Sequence, residues 1–434
     1  MPSSSSLRFD LSSYFLPGGD IQELAHAYRE SLETARTQLL KNVSGAPLGW
    51  MSAPTDTVML ARVQKMVKAT SSYETLLVLG IGGSDLGART LFEALPHKKR
   101  VVFAGANTDP DELEEIYASL NWKKTVINIV SKSGDTIEPM SAFLIALDRL
   151  KKAVGKNYAK QIVATTDGLR GTLNTIAKAE GFATLLVPAN VGGRFSILTD
   201  CGLFPAAWSG IDIKSLLKGA AAEQARFVRE PIAAQFSAQY AMVHAEHLLK
   251  YGRTLFVLMP YSSKLQAFSR WYRQLVAESL GKAETRRGSH FSYGPTPIAA
   301  LGATDQHSQI QLYMEGIDDK VITFIEIAAF KASRLRLPKI GLQYGRMLAL
   351  SKRSFQELIH AERAGTSQAL TEAGRPNGTI ILPTLNAYHL GELLQGFMLA
   401  TAYLGELFDI DAFNQPGVEH GKRFFWERIE KGKK

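Results

Sequence analysis

Cysteine is nearly absent from this chain: Cys201 is the one thiol in 434 residues. A single thiol excludes an internal disulfide and a Cys-rich zinc site, and it favours a reducing compartment. Runs of five or six like charges are also missing, so the formal charge of +9 (50 Lys plus Arg against 41 Asp plus Glu) is spread thinly. Such an excess does not by itself indicate nucleic acid and fits anionic small substrates equally well. No apolar stretch is long enough to span a membrane, and the best one, Val321 to Phe330, is interrupted by Glu326. The opening Met1–Arg8 lacks an apolar h-region, so no secretory signal is expected there. Low complexity is confined to the four serines near the N-terminus. What is there, 45% apolar and 21% charged residues, is the composition of a folded globular protein of two to three domains. These absences point to a cytoplasmic protein with neither a nucleic-acid nor a membrane partner.

Leu24, Ala25, Tyr28, Leu32, Ala35 and Leu39 recur at helical spacing, so an amphipathic helix is expected from about Asp20 to Asn42, broken by Gly45, Pro47 and Gly49. A second helical stretch, Val58 to Lys68, leads into short apolar runs alternating with helical segments. The runs are Thr75–Leu79, Val101–Ala104, Thr125–Val130 and Ile162–Thr166. Continuous apolar strands alternating with helices imply a parallel sheet buried on both faces, whose ligand sits at the carboxyl ends of the strands. After a helical block from Ile213 to Leu249 the scheme restarts, with strands at Thr254–Pro260, Val321–Ile327 and Thr379–Pro383. Helices are expected over Ser263–Leu280, Leu342–Ala361 and Leu390–Phe408, ahead of a basic tail. The fold class is therefore α/β, with two doubly wound parallel-sheet domains carrying helices on both faces. The expected division is an N-terminal helical segment over 1–50, a first α/β domain over 51–215 and a second over 216–434, the boundary lying within 210–235.

Several loops carry candidate chemistry. Gly80-Ile-Gly-Gly-Ser-Asp-Leu-Gly87 follows a strand and opens a helix, which suits close backbone approach to an anion at a helix N-terminus. Its glycine spacing fits neither the dinucleotide fingerprint nor a Walker loop. Taken alone it also fits a tight turn. Ser131-Lys-Ser-Gly-Asp-Thr136 offers three hydroxyls and an ammonium at a strand end, as a phosphate group requires, although a Ser/Thr-capped turn reads the same way. Gln274 and Glu278 share a helix face, and the neighbouring Trp271, Leu275 and Leu280 could bury part of it and raise the carboxylate toward base duty. Arg194, in Val191-Gly-Gly-Arg-Phe-Ser196, suits an oxyanion. His307 lies among polar residues that could fix its tautomer. Gln415 and Lys422 flank a Pro-Gly turn near the C-terminus. His244 and His247 have helical spacing but no evident third ligand, so no metal site is expected, and Cys201 reads as a core residue.

In this order and spacing, the stretches 80–87, 131–136, 191–196, 274–282, 302–309 and 415–422 closely resemble the phosphoglucose isomerases, and the wording at 302–309 resembles their compact bacterial branch. The resemblance covers nearly the whole chain. It implies two sugar-isomerase-type α/β domains and a homodimer with active sites at the subunit interface. It also implies interconversion of glucose 6-phosphate and fructose 6-phosphate through a cis-enediolate, in glycolysis and gluconeogenesis, without metal or organic cofactor. Carried over by position, Glu278 is the base moving a proton between C2 and C1, and Arg194 stabilises the enediolate. His307, from the neighbouring subunit, and Lys422 open the sugar ring. Gly83, Ser84, Ser131, Lys132, Ser133 and Thr136 hold the phosphate, while Gln274 and Gln415 position the substrate. Asp135 departs from the family's small hydroxyl residue, and a carboxylate there would repel phosphate unless it points away.

Two alternatives stay open on the sequence. A dual phosphoglucose/phosphomannose isomerase would use the same base. A non-catalytic sugar-phosphate sensor would need the phosphate loops but not Glu278, Arg194, His307 and Lys422 together, and no helix-turn-helix candidate is present. A glutamine-dependent amidotransferase would need a cysteine near the N-terminus, where Pro2 stands; a nicotinamide dehydrogenase is favoured by Asp109 after the second strand but disfavoured by the glycine spacing, and both rank well below the isomerase.

Overall fold

Among the residues that the computed structural model describes (6–15, 20–41, 48–291 and 294–431), ten strands form two five-stranded sheets. In chain order the strands are β1 (Arg8–Asp10), β2 (Thr75–Leu79), β3 (Arg100–Ala104), β4 (Thr125–Val130), β5 (Ile162–Thr166), β6 (Ala183–Leu186), β7 (Leu255–Pro260), β8 (Thr296–Ala299), β9 (Lys320–Ile327) and β10 (Asn377–Leu382). The first sheet runs β3-β2-β4-β5-β6 and is parallel throughout. The second runs β1-β10-β9-β7-β8, parallel except for β1, which pairs antiparallel with β10.

Side chains alternate across a strand, so a run apolar at every position must be covered on both faces. β2 does this: Leu76 and Val78 enter one core while Leu77 and Leu79 enter another. β7 divides likewise, with Phe256 and Leu258 facing one cluster and Val257 and Met259 another. Leu76 and Val78 share their cluster with Phe256 and Leu258, so the large core lies between the two sheets and joins them. Each fully buried Leu or Val there contributes about 2 kcal/mol. The helix Ala387–Leu407 is buried on nearly every side, as its predominantly apolar sequence requires. It packs on the helices Ile213–Arg229 and Phe236–Tyr251.

The expected strands and helices form with ends shifted by a few residues, with one exception. The single helix expected over Leu342–Ala361 is instead a 3-10 stretch, Leu342–Leu350, broken at Gly345, followed by an α-helix, Phe355–Glu372. Ser354 and Glu357 form a reciprocal capping box at the start of that helix, which separates it from what precedes. Three short edge strands, β1, β6 and β8, and the helix Glu419–Lys431 are additions to the expected elements. Residues 8–10, read as part of a helical segment, thus extend the second sheet. The expected break at Gly45 and Pro47, the first serines and the tail beyond Lys431 lie outside the described residues. No helix among the described residues is long and apolar enough to cross a membrane.

His244 and His247 are core residues. His244 Nδ1 donates to the Tyr240 carbonyl and His247 Nε2 to the Tyr14 carbonyl, each at 2.9 Å. Burial pulls their imidazoles down to about 3 and about 4. Cys201 is buried too, and burial pushes its thiol up to about 11, which leaves it unreactive.

Candidate active site

In the first sheet the chain leaves β2 toward β3 on one side and returns as β4 on the other, so the crevice at the carboxyl ends of β2 and β4 is the place for a ligand. Both small-residue loops lie there. The loop after β2 forms a 3-10 turn, Gly82–Ser84, and enters the helix Leu86–Ala94. A Cβ on Gly83 would stand 2.1 Å from the Gly193 carbonyl oxygen, so only glycine lets this loop seat against the turn that carries Arg194. The loop after β4 opens the helix Ile137–Val154. Gly134 N donates to Ser131 Oγ at 3.0 Å and Asp135 N to Ser133 Oγ at 3.1 Å. Gly134 has φ +81°, and a Cβ on it would meet Leu173 N at 2.1 Å, so the loop is pressed against the next helix, Thr172–Glu180.

These loops enclose a cleft of about 610 Å³ lined by Ser84, Ser131, Lys132, Ser133 and Thr136, with Gln415 and Lys422 from the C-terminal part of the chain. Two side chains of the loop are engaged by neighbouring segments. Lys132 Nζ donates to the carbonyls of Ala189 at 2.9 Å and Val191 at 3.3 Å, tying the hydroxyl loop to the segment before Arg194. Asp135 turns its carboxylate away, Oδ1 accepting from Thr172 Oγ1 at 2.6 Å at the start of the following helix.

Arg194 is buried to 2% exposure in the 3-10 stretch Gly193–Leu198. Its Nε donates to Ser279 Oγ at 2.7 Å, and Nη2 donates to the carbonyls of Ala412 at 2.7 Å and Asn414 at 3.2 Å. Nη1 donates to Gln415 Oε1 at 2.8 Å and to Glu278 Oε2 at 3.3 Å. Burial pulls the guanidinium's pKa down, while Glu278 and Asp411 work against that, and an Arg stays charged at neutral pH in either case. The other Glu278 oxygen, Oε1, accepts from Gln274 Nε2 at 2.9 Å, as their spacing of four on one helix allows. Gln274 keeps its own Oε1 buried and without a protein partner among the described residues, and it lines neither cleft. Trp271, Leu275 and Leu280 are buried in the core, and polar groups rather than apolar ones fix the carboxylate. Lys282 Nζ caps the same helix, donating to the carbonyls of Glu278 at 2.5 Å and Asn414 at 2.9 Å. Glu278, Lys282 and Gln415 line a second cleft of about 610 Å³, so Gln415 borders both spaces.

A half-exposed carboxylate held between an amide and a cation, in a cleft that shares Gln415 with the hydroxyl-lined one, can abstract a proton α to a carbonyl, and the cation can stabilise the resulting oxyanion. Lys422, on the helix Glu419–Lys431, reaches the hydroxyl-lined cleft. His307 stands apart from the assembled residues. It is exposed on the turn Thr304–His307 after β8, in the second sheet, and is not among the lining residues of either cleft. Asp167, Arg170, Ser279 and Lys282 are not singled out by the sequence. The first two lie on the loop after β5, at the same carboxyl edge as the other site loops, and that edge is the available signal.

A sequence profile for phosphoglucose isomerase matches residues 64–433. The chain belongs to the phosphoglucose isomerase family. It is 37% identical over 435 residues to a glucose-6-phosphate isomerase of Carboxydothermus hydrogenoformans, covering 96% of this chain and 93% of that one. A glucose-6-phosphate isomerase of Rubrobacter xylanophilus is 38% identical, with 95% and 94% covered. Among solved structures, a hypothetical protein of Thermus thermophilus superposes with a TM-score of 0.90 at 35% identity, covering 98% of this chain and 99% of the other. A glucose-6-phosphate isomerase of Chlamydia trachomatis, at 22% identity, shares the fold with a TM-score of 0.86 over 99% of this chain and 90% of its own. Other members of the phosphoglucose isomerase family thus share both the sequence and the two-sheet architecture over essentially the whole length.

Proposed function

We propose that this chain interconverts glucose 6-phosphate and fructose 6-phosphate as an aldose–ketose isomerase of glycolysis and gluconeogenesis, acting on side chains alone without metal or organic cofactor. The observation that carries the reading is the Glu278 carboxylate, held by Gln274 at 2.9 Å and Arg194 at 3.3 Å beside the hydroxyl-lined cleft. With the phosphate in that cleft, the carboxylate takes the C2 proton of the open-chain aldose and returns it to C1, while the hydroxyl proton on O2 passes to O1, leaving the carbonyl at C2 and an alcohol at C1. The electron pair left by the C–H bond forms the enediolate, whose negative oxygen falls to Arg194. As Glu278 becomes neutral it competes less for the guanidinium, so the Nη1–H that held it turns to the new anion while the other bonds of Arg194 keep it in place. That exchange favours the transition state over the ground state, which is what accelerates a reaction. The phosphate, remote from the reacting carbons, supplies orientation.

Lys422 and His307 are assigned to ring opening, with His307 supplied by the second subunit of a homodimer whose active site lies at the interface. The exposure of His307 and its distance from the clefts of its own chain support that assignment. The division into domains over 51–215 and 216–434 belongs to the same reading and is supported by the strands, since β2–β6 end at Leu186 and β7 begins at Leu255. A cytoplasmic location accords with the lone buried thiol.

The test is turnover of fructose 6-phosphate to glucose 6-phosphate, read by coupled glucose-6-phosphate dehydrogenase with chelator present, on the wild type and Glu278→Gln. The expected result is wild-type turnover that falls by about three orders of magnitude in the variant while sugar-phosphate binding is kept. Binding without turnover in the wild type would mark a sensor. Turnover surviving in Glu278→Gln would remove the base.

A further inference from the structure

The cleft assigned to the phosphate is poorer in available cations than its sequence implies. Lys132, the one ammonium of the hydroxyl loop, is committed to the carbonyls of Ala189 and Val191. A phosphomonoester carries close to two negative charges at neutral pH and is bound best by charge-assisted hydrogen bonds from several directions. Lys422 reaches the cleft from the C-terminal helix, and Arg170 reaches it from the loop after β5.

The loop that carries Arg170 is a built turn. Asp167 Oδ1 accepts from the backbone N–H groups of Leu169 at 2.9 Å and Arg170 at 3.1 Å. These bonds fix the position of Arg170 and engage the carboxylate with the backbone. Gly171, at φ +98°, would place a Cβ 2.4 Å from the Ser133 carbonyl oxygen, so the turn is pressed directly against the hydroxyl loop. Arg170 is therefore anchored one residue from that contact, with an exposed side chain bordering the cleft.

We propose that Arg170 is a ligand of the substrate phosphate, adding a cation to that of Lys132, two of whose three N–H groups are taken by carbonyls. Its planar fork matches two phosphate oxygens at once, while the hydroxyls of Ser131, Ser133 and Thr136 take the others. The inference rests on the isomerase reading of this site, because it takes the ligand to be a sugar phosphomonoester. It assigns Lys132 the task of joining two loops and Arg170 the task of meeting the anion.

Steady-state kinetics on the wild type, Arg170→Ala and Arg170→Lys test this, with inorganic phosphate as a competitive probe of the subsite. In Arg170→Ala, the KM for fructose 6-phosphate and the inhibition constant of inorganic phosphate should both rise roughly tenfold. Its kcat should stay within about twofold of the wild type, and Arg170→Lys, which keeps the charge without the fork, should recover only part of the loss. A KM within about twofold of wild type in Arg170→Ala overturns the assignment, as does a raised KM with unchanged phosphate inhibition. If the wild type shows no turnover, the isomerase reading fails separately. Calorimetric affinities of the two proteins for inorganic phosphate then decide whether Arg170 meets the anion.

Discussion

Arg194 Nη1 stands 3.3 Å from the Glu278 carboxylate across 84 residues of sequence. That contact is the longest the guanidinium makes, and the Ser279, Gln415, Ala412 and Asn414 partners occupy its remaining N–H groups. The guanidinium is thus the pin that holds the segment 412–415, with Gln415, against the helix of Glu278.

Replacing Arg194 by Lys keeps the charge and loses the fork. Ser279 and the Ala412 carbonyl are then left without their donor in a buried place. We expect kcat to fall by roughly two to three orders of magnitude and the unfolding free energy by about 3 kcal/mol. Coupled turnover and urea denaturation measure the two effects independently. An activity loss without a stability loss would show that the pinning is incidental.

If His307 acts across a dimer interface, two inactive variants should rescue each other. Co-refolding Glu278→Gln with His307→Ala produces hybrid dimers in which one site has both wild-type groups. Random pairing then restores roughly a quarter of wild-type activity, because half the dimers are hybrids with one intact site each. Recovery no greater than the sum of the two variants refolded alone would place His307 outside the partner's site.

Lys282 sets a pH dependence. Burial first, and the Arg194 charge second, pull its ammonium from the ordinary value of 10.5 down to about 8, against the pull of Asp411 and Glu278. Between these two values the unfolded chain binds the extra proton, so this group's contribution to stability rises with pH from about 8 to about 10.5. Denaturation midpoints followed over that range should rise for the wild type relative to Lys282→Met. In the opposite direction, kcat/KM should fall above about pH 8 as the cation bridging Glu278 and Asn414 is lost. A wild type and variant with parallel stability profiles would contradict the first expectation.

Asp135 offers a test of side-chain direction. Its carboxylate is engaged by Thr172 at 2.6 Å and faces away from the anion cleft. Asp135→Thr should therefore change the KM for fructose 6-phosphate by less than about threefold, the size of an ordinary surface substitution. A tenfold drop in KM would mean that the carboxylate reaches the phosphate in solution.

Much of the fold is legible locally because burial on both faces leaves a local mark. Thr75–Leu79 and Thr125–Val130 are apolar but for Thr75, Thr125 and Asn128, and each is buried at every position. β6 and β8 leave no such mark, since they are four-residue edge strands with exposed positions. β1 is three residues long and acquires its pairing from Thr379–Ile381, more than 360 residues away. The contact of Gln274 with Glu278 follows from helical spacing, and so is readable in advance.

Residue types and short-range spacing alone determined that the chain would build two buried parallel sheets and put small polar loops at their carboxyl ends, because helical and strand periodicity act over a few residues; the link to the phosphoglucose isomerases rests on the resemblance of whole stretches. Only the tertiary structure decided where the side chains of those loops point. Lys132 finds its acceptors 57 and 59 residues away, Asp135 its donor 37 residues away, and Arg194 its Gln415 partner 221 residues away. A charged side chain in a crowded loop takes whichever hydrogen-bonding partner packing brings near it, and that is a property of the assembled molecule.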